Sequence, residues 1–172
     1  MKKIVLNLIV ILMTCMSFVS CAYERVDAGC EGIYVNLYGD DKGVGEVSLC
    51  SGAVWYCPLT HDVFEYPTYI QTVDYPSFEV NSKDGTKFTV DPAVLVKIED
   101  GKSPLIFKKY RKQLDEIVKN TLYVYIRDAA RIEFNRYTAD QIVSNREAVD
   151  KSFEERVRKS FANEHFILQQ LT

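Results

Sequence analysis

The chain has 172 residues, room for one domain and a short leader, and its 47% apolar and 26% charged residues are an ordinary globular balance. The formal charge is −3, and without Lys2 and Lys3 in the first twenty residues 19 basic residues stand against 24 acidic ones, a charge of −5. A mildly acidic body lacks the basic face that nucleic acid needs, and equally the charge that draws a protein onto anionic lipid.

Met1-Lys2-Lys3 precedes an apolar run from Ile4 to Val19 that ends at Ser20-Cys21. A positive start, an apolar stretch and a small residue before the cut are the parts of a secretory signal, here residues 1–20. Phe18-Val19-Ser20-Cys21 resembles the lipobox of bacterial lipoproteins, which implies that Cys21 is acylated and becomes the first residue of the mature chain. The other reading is an uncleaved anchor helix, but a run of about 16 residues containing Asn7 and Thr14 falls short of the ~20 that a span needs. Both readings keep Lys2 and Lys3 in the cytoplasm and place the rest on the periplasmic or outer side of a bacterial cell envelope. Residues 21–30 then form a polar membrane-proximal linker, and residues 31–172 the folded domain.

Gly32 to Tyr38 alternates, with Ile33, Val35 and Leu37 on one face, which predicts a half-buried strand. Gly39-Asp40-Asp41-Lys42-Gly43 is turn chemistry, and residues 44–57 resume a strand pattern that Pro58 breaks, so a hairpin centred near residues 42–44 is expected. That register sets Cys30 opposite Cys57. Five cysteines are present. With Cys15 in the signal and Cys21 acylated, Cys30, Cys50 and Cys57 remain in an oxidising compartment, and the expectation is a Cys30–Cys57 disulfide with Cys50 the odd thiol. Cys50, Cys57 and His61 lack a fourth ligand and a familiar spacing, so no metal is expected there.

Short strands follow over residues 63–80, punctuated by Pro67 and Pro76, and Asn81-Ser82-Lys83-Asp84-Gly85 is a second turn with Gly85 suited to positive φ. Phe88, Val90, Val94, Val96 and Ile98 share one parity in a long strand, with Pro92 expected at a bulge or an edge. Ser103-Pro104 then opens a helix as N-cap and first position, and a longer helix runs from about residue 112 to 136. Leu114, Ile117, Val118, Leu122, Tyr125, Ala129 and Ile132 make one stripe on it, and Tyr123, Ile126, Ala130 and Phe134 a second. Two apolar faces imply two partners, and Tyr123, Ile126 and Phe134 are candidates for a self-association interface, with packing on the chain's own last helix as the alternative. Thr138-Ala139-Asp140-Gln141 and Ser144-Asn145-Arg146-Glu147 read as capping boxes starting two more helices. Val149, Phe153, Val157 and Phe161 give the last helix its buried face, and Phe166-Ile167-Leu168 a final strand.

The order of these motifs resembles the SPFH (band-seven, prohibitin/stomatin-type) domain, and its prohibitin branch most closely. Ala28-Gly29-Cys30-Glu31-Gly32-Ile33-Tyr34-Val35 looks like the family's opening strand, and Val80-Asn81-Ser82-Lys83-Asp84-Gly85 like its turn. Arg127-Asp128-Ala129-Ala130, Arg136-Tyr137-Thr138-Ala139-Asp140 and Arg146-Glu147 look like its helical segments. The similarity covers about residues 26–172 and implies an α+β fold, N-terminal antiparallel strands followed by a helical half. It implies no cofactor. It further implies a membrane scaffold that self-associates and organises membrane proteins or a membrane protease, although Thr172 stands where the family's coiled coil would begin. The two histidines, His61 and His165, belong to no recognisable catalytic motif, and no phosphate-binding loop is present in the sequence, so an enzyme is not expected. The competing function is an envelope adaptor lipoprotein that binds a single protein or ligand.

Overall fold

A computed structural model describes residues 22–37 and 47–172. The chain divides between Glu65 and Tyr66 into two compact units. The signal segment, Cys21 and the turn at residues 39–43 lie outside the described residues.

The first unit is built of short strands. β1 (Ala22–Arg25) pairs antiparallel with β4 (Ala53–Tyr56), setting Ala22 opposite Tyr56 and Tyr23 opposite Trp55. β2 (Cys30–Asn36) is the middle strand of a sheet in the order β3-β2-β5, where β3 is Val47–Cys50 and β5 is His61–Pro67, the strand that crosses the unit boundary. The expected alternation holds in β2 for Ile33 and Val35, which are buried, but not for Leu37, which lies past the end of the strand and is exposed. Two details differ from the sequence reading. Residues 22–25 are a strand rather than part of a linker. The stretch expected as one strand over residues 44–57 is two, because Gly52 takes φ +76 and lets the chain leave β3 and cross to β1. The Gly52 carbonyl accepts the Val26 N–H at 2.9 Å, which satisfies the backbone at that crossing.

The second unit begins with β6 (Gln71–Asp74), β7 (Phe78–Asn81), β8 (Lys87–Val90) and β9 (Ala93–Ile98). β7 and β8 form a hairpin around the Ser82–Gly85 turn, and Gly85 has the expected positive φ of +82. Pro92 makes neither a bulge nor an edge. It ends the β7–β8 ribbon, and β9 passes to a second sheet in the order β10-β9-β6, with β10 (Phe166–Leu171) the expected final strand. A missing N–H suits such a corner, where no ladder partner is needed. Val94, Val96 and Ile98 are buried on one face of β9, as their parity requires.

The helices are α1 (Ser103–Tyr110), α2 (Leu114–Glu116), α3 (Tyr123–Phe134), α4 (Ala139–Ser144) and α5 (Arg146–Asn163), with Ile117–Leu122 between α2 and α3 wound as a π-helix. α1 starts one residue earlier than a Ser103 cap would give. Lys102 is its N-cap, Ser103 its first residue, and the buried Ser103 hydroxyl has no hydrogen-bond partner. The Thr138 capping box is formed, with the Gln141 N–H donating to Oγ1 and the Thr138 N–H to Oε1. The Ser144 box is not, since Asn145 caps α5 without a side-chain bond.

The π segment explains the two stripes on the long helix. Its i→i+5 bonding takes up an extra residue, so the inward face advances by about one residue, or ~100°, along the helix. Before and within it, Leu114, Ile117, Val118 and Leu122 of the first stripe are buried. After it, burial passes to the second stripe at Ile126, Ala130 and Phe134, with Ala129 beside them, while Ile132 of the first stripe is 41% exposed. The Tyr75 hydroxyl donates to the Val118 carbonyl at 2.7 Å inside the segment, giving that carbonyl a partner where the regular ladder is disturbed.

Candidate functional site

Three polar constellations in the second unit hold its elements together. In the first, the two motifs on either side of α3 meet. The Ser82 hydroxyl donates to Asp84, Lys83 N–H donates to the Tyr137 carbonyl at 2.9 Å, and Ala139 N–H donates to Asp84 Oδ2 at 3.2 Å. The Ser82 hydroxyl and the Ala139 amide together hold the Asp84 carboxyl below its ordinary range. The Ser-Lys-Asp-Gly turn and the Tyr-Thr-Ala-Asp turn are therefore one structural joint, in which Asp84 satisfies an otherwise orphaned amide at the start of α4.

In the second, Glu133 of α3 is 2% exposed and accepts from Arg136 at 3.2 Å on both oxygens and from Arg156 of α5. This buried ion cluster clamps α3 to α5. In the third, Glu164 at the end of α5 accepts from Lys109 at 2.5 Å, Tyr110 at 2.6 Å and Tyr125 at 3.0 Å. Burial pushes its carboxyl up, but those three donors and the Lys109 charge outweigh burial, and the net shift is downward. Burial and the Glu164 carboxylate both raise the Tyr110 hydroxyl. The three carboxylates of these clusters, Asp84, Glu133 and Glu164, are each committed to partners, the arrangement of structural groups rather than of a poised acid or base.

A groove of about 910 Å³ opens in the second unit between β8, α4 and the start of α5. Its walls are apolar at Phe88, Pro92, Ile142 and Val143 and charged at Arg146 and Asp150. In the first unit, an aromatic pair stands at the surface. Tyr23 and Trp55 lie with ring centroids 5.0 Å apart, 54% and 70% exposed. His61 stacks on Tyr34 at 4.8 Å and its Nδ1 lies 2.7 Å from the Thr60 hydroxyl. His165, at φ +63, lies 3.4 Å from Glu99. Among the described residues no group of three His, Cys, Asp or Glu is placed to hold a metal, and no helix is long and apolar enough to cross a membrane.

The residues singled out from sequence fall as follows. Cys21 lies outside the described residues. Cys30, Cys50 and Cys57 are all free thiols. The register pairs Gly32 with Cys50, not Cys30 with Cys57, because β3 ends at Cys50 and the following strand belongs to a different ribbon. The hairpin argument for a Cys30–Cys57 disulfide therefore does not hold. The Cys50 thiol lies across Gly32, where a Cβ would meet Sγ at 2.5 Å. Burial raises both the Cys30 and the Cys50 thiol, as do nearby carboxylates: Glu65 and Asp27 around Cys30, Glu24 and Glu65 around Cys50. Tyr123, Ile126 and Phe134 do not form a free face. Ile126 is fully buried and Phe134 nearly so, Tyr123 stacks on Tyr75 at 5.6 Å, and Phe134 packs edge-on to Phe153 of α5. The second face is thus covered by β7 and by the chain's own last helix, the alternative weighed above. Sequence reasoning missed the Glu133 and Glu164 clusters. The one available signal was the charge at Glu133, a position in phase with Ile126 and Ala130 on an otherwise apolar face.

Strands first, then a helical half joined to the β7–β8 turn, define an α+β domain of the band-seven class. The model of the SPFH domain / Band 7 family matches residues 24–172, and the chain belongs to that family. None of the curated proteins compared with the chain matches it. Members of the family are generally membrane-associated, scaffold-like and self-associating, and mostly non-enzymatic.

Proposed function

We propose that this protein is a non-catalytic scaffold of the bacterial cell envelope, acylated at Cys21 and carrying its SPFH domain, of the prohibitin-like branch, on the periplasmic or outer side. The family match over residues 24–172 carries the reading. The signal pattern of residues 1–20 supports the anchor. Diacylation supplies two chains or more, enough for stable attachment where one chain is marginal. In this reading the domain self-associates and organises membrane proteins, a membrane protease among them. Self-association has to use surface other than the buried Tyr123–Ile126–Phe134 face. The second reading, an adaptor that takes a single partner, is favoured by one observation, the groove between β8, α4 and α5. Metabolic labelling with a radioactive fatty acid tests the anchor. The full chain should label and the Cys21→Ser variant should not, and label persisting in the variant would refute acylation at Cys21.

A further inference from the structure

The β1–β4 ribbon has two unlike faces. Ala22, Glu24, Val54 and Tyr56 are half-buried on one, where Glu24 accepts the Tyr56 hydroxyl at 2.8 Å. Tyr23, Arg25, Ala53 and Trp55 are exposed on the other. The outward face therefore carries two large aromatic rings and one cation, while the ribbon's carboxylate is turned away and tied to a tyrosine. At the end of the ribbon where Ala22 faces Tyr56, the Cys57–Thr60 turn presents Leu59, itself 70% exposed.

That end is also where the chain leaves for Cys21, to which Ala22 is directly bonded. Consecutive Cα atoms are about 3.8 Å apart, so Tyr23 can lie no more than ~8 Å from the Cys21 Cα. We propose that Tyr23, Trp55 and Leu59 form an interfacial patch that inserts into the headgroup region of the bilayer holding the Cys21 acyl chains, so that the domain is seated on the membrane rather than hung from a loose tether. The inference rests on the acylation of Cys21 proposed above.

Three arguments select lipid as the occupant. The acyl chains hold a phospholipid surface within reach of this end of the ribbon. Tyrosine and tryptophan rings, apolar in body and polar at one edge, partition to the membrane interface. The mature chain's net negative charge gives no electrostatic attraction to anionic lipid, so seating has to come from rings and Leu59, with Arg25 on the same face able to extend its head toward lipid phosphate.

The chain contains a single tryptophan, so its indole emission reports Trp55 alone. The acylated full chain is reconstituted into phosphatidylcholine vesicles whose acyl chains are brominated close to the headgroup, and the Cys21→Ser protein in buffer serves as the reference. The expected result is emission shifted to shorter wavelength and quenched by bromine. In the Tyr23→Ser, Leu59→Ser double variant most of the quenching should be lost while the protein still floats with the vesicles. If the acylated protein floats but its emission stays that of a water-exposed indole, unquenched, the patch is overturned and the anchor stands. If it does not float, the anchoring reading fails and the patch with it. If the Cys21→Ser protein in buffer already shows the shifted emission, and dilution reverses it, a second copy covers the patch and the lipid assignment is overturned. The parent chain's shift and quenching decide the matter even if the double variant fails to fold.

Discussion

Ile126 separates a core from an interface. It sits on α3 just after the π segment, fully buried, on the side of the helix that packs on β7 and α5. Truncating a buried isoleucine costs about 2–5 kcal/mol, the upper part applying where the walls cannot collapse. Here the rigid surroundings of α3, the β7–β8 ribbon with the ring pairs Phe78–Tyr123 and Phe134–Phe153, argue for about 4 kcal/mol. For a chain of this size each kcal/mol moves the thermal midpoint by roughly 2–4 °C, so Ile126→Ala should melt ~10 °C early. Ile126→Asp adds the cost of a buried carboxylate and should be unfolded, since the sum approaches the whole ~5–15 kcal/mol of a typical domain. Calorimetry and circular dichroism on protein starting at Ala22 measure both. An Ile126→Ala protein with an unchanged midpoint but a smaller solution mass would refute the assignment and make this face an interface after all.

Glu133→Gln should cost about 3 kcal/mol by urea denaturation, the low end for breaking a buried pair because Arg136 and Arg156 keep partial access to water, and an unchanged midpoint would show the clamp to be idle. Glu164 has a folded-state carboxyl below its ordinary value of 4.5, so its contribution is present above that value and lost as pH falls beneath it. Acid titration of the unfolding free energy should therefore fall less steeply in Glu164→Gln than in the parent, and identical slopes would contradict the cluster. Gly32→Ala brings a methyl within 2.9 Å of the Cys50 carbonyl as well as onto its thiol, and should destabilise by about 1–3 kcal/mol, only partly relieved by adding Cys50→Ala. Full relief would place the clash on the thiol alone.

What was readable in the sequence was whatever is encoded locally. Period-two burial in β2 and β9, the Gly85 turn, the Thr138 capping box and the Val149–Phe161 stripe all depend on residues a few positions apart, and all formed as expected. The failures share a cause, which is that they depend on which distant element becomes a neighbour. The Cys30–Cys57 register assumed that β2 pairs continuously with the whole of residues 44–57, but Gly52 diverts the chain to β1. Pro92 looked like a flaw in one strand because the passage between two sheets is invisible to parity. The π segment left a trace, two stripes on one helix, and that trace reads equally as two partners. For the candidate sites, family motifs were legible as a series of short matches, whereas the bond between Asp84 and Ala139 that joins two of them is a tertiary fact. The exposed Tyr23–Trp55 pair was hidden for the same reason, since residues 22–25 are too few and too polar to announce a strand.

The central claim is that an acyl-anchored SPFH domain works by self-association. The most direct test is the mass of the acylated full chain extracted from membranes in a mild detergent, by native mass spectrometry or light scattering with the detergent subtracted. The account predicts a homo-oligomer of many copies. A monomer, or one copy bound to one copy of a different protein, would contradict it and favour the adaptor.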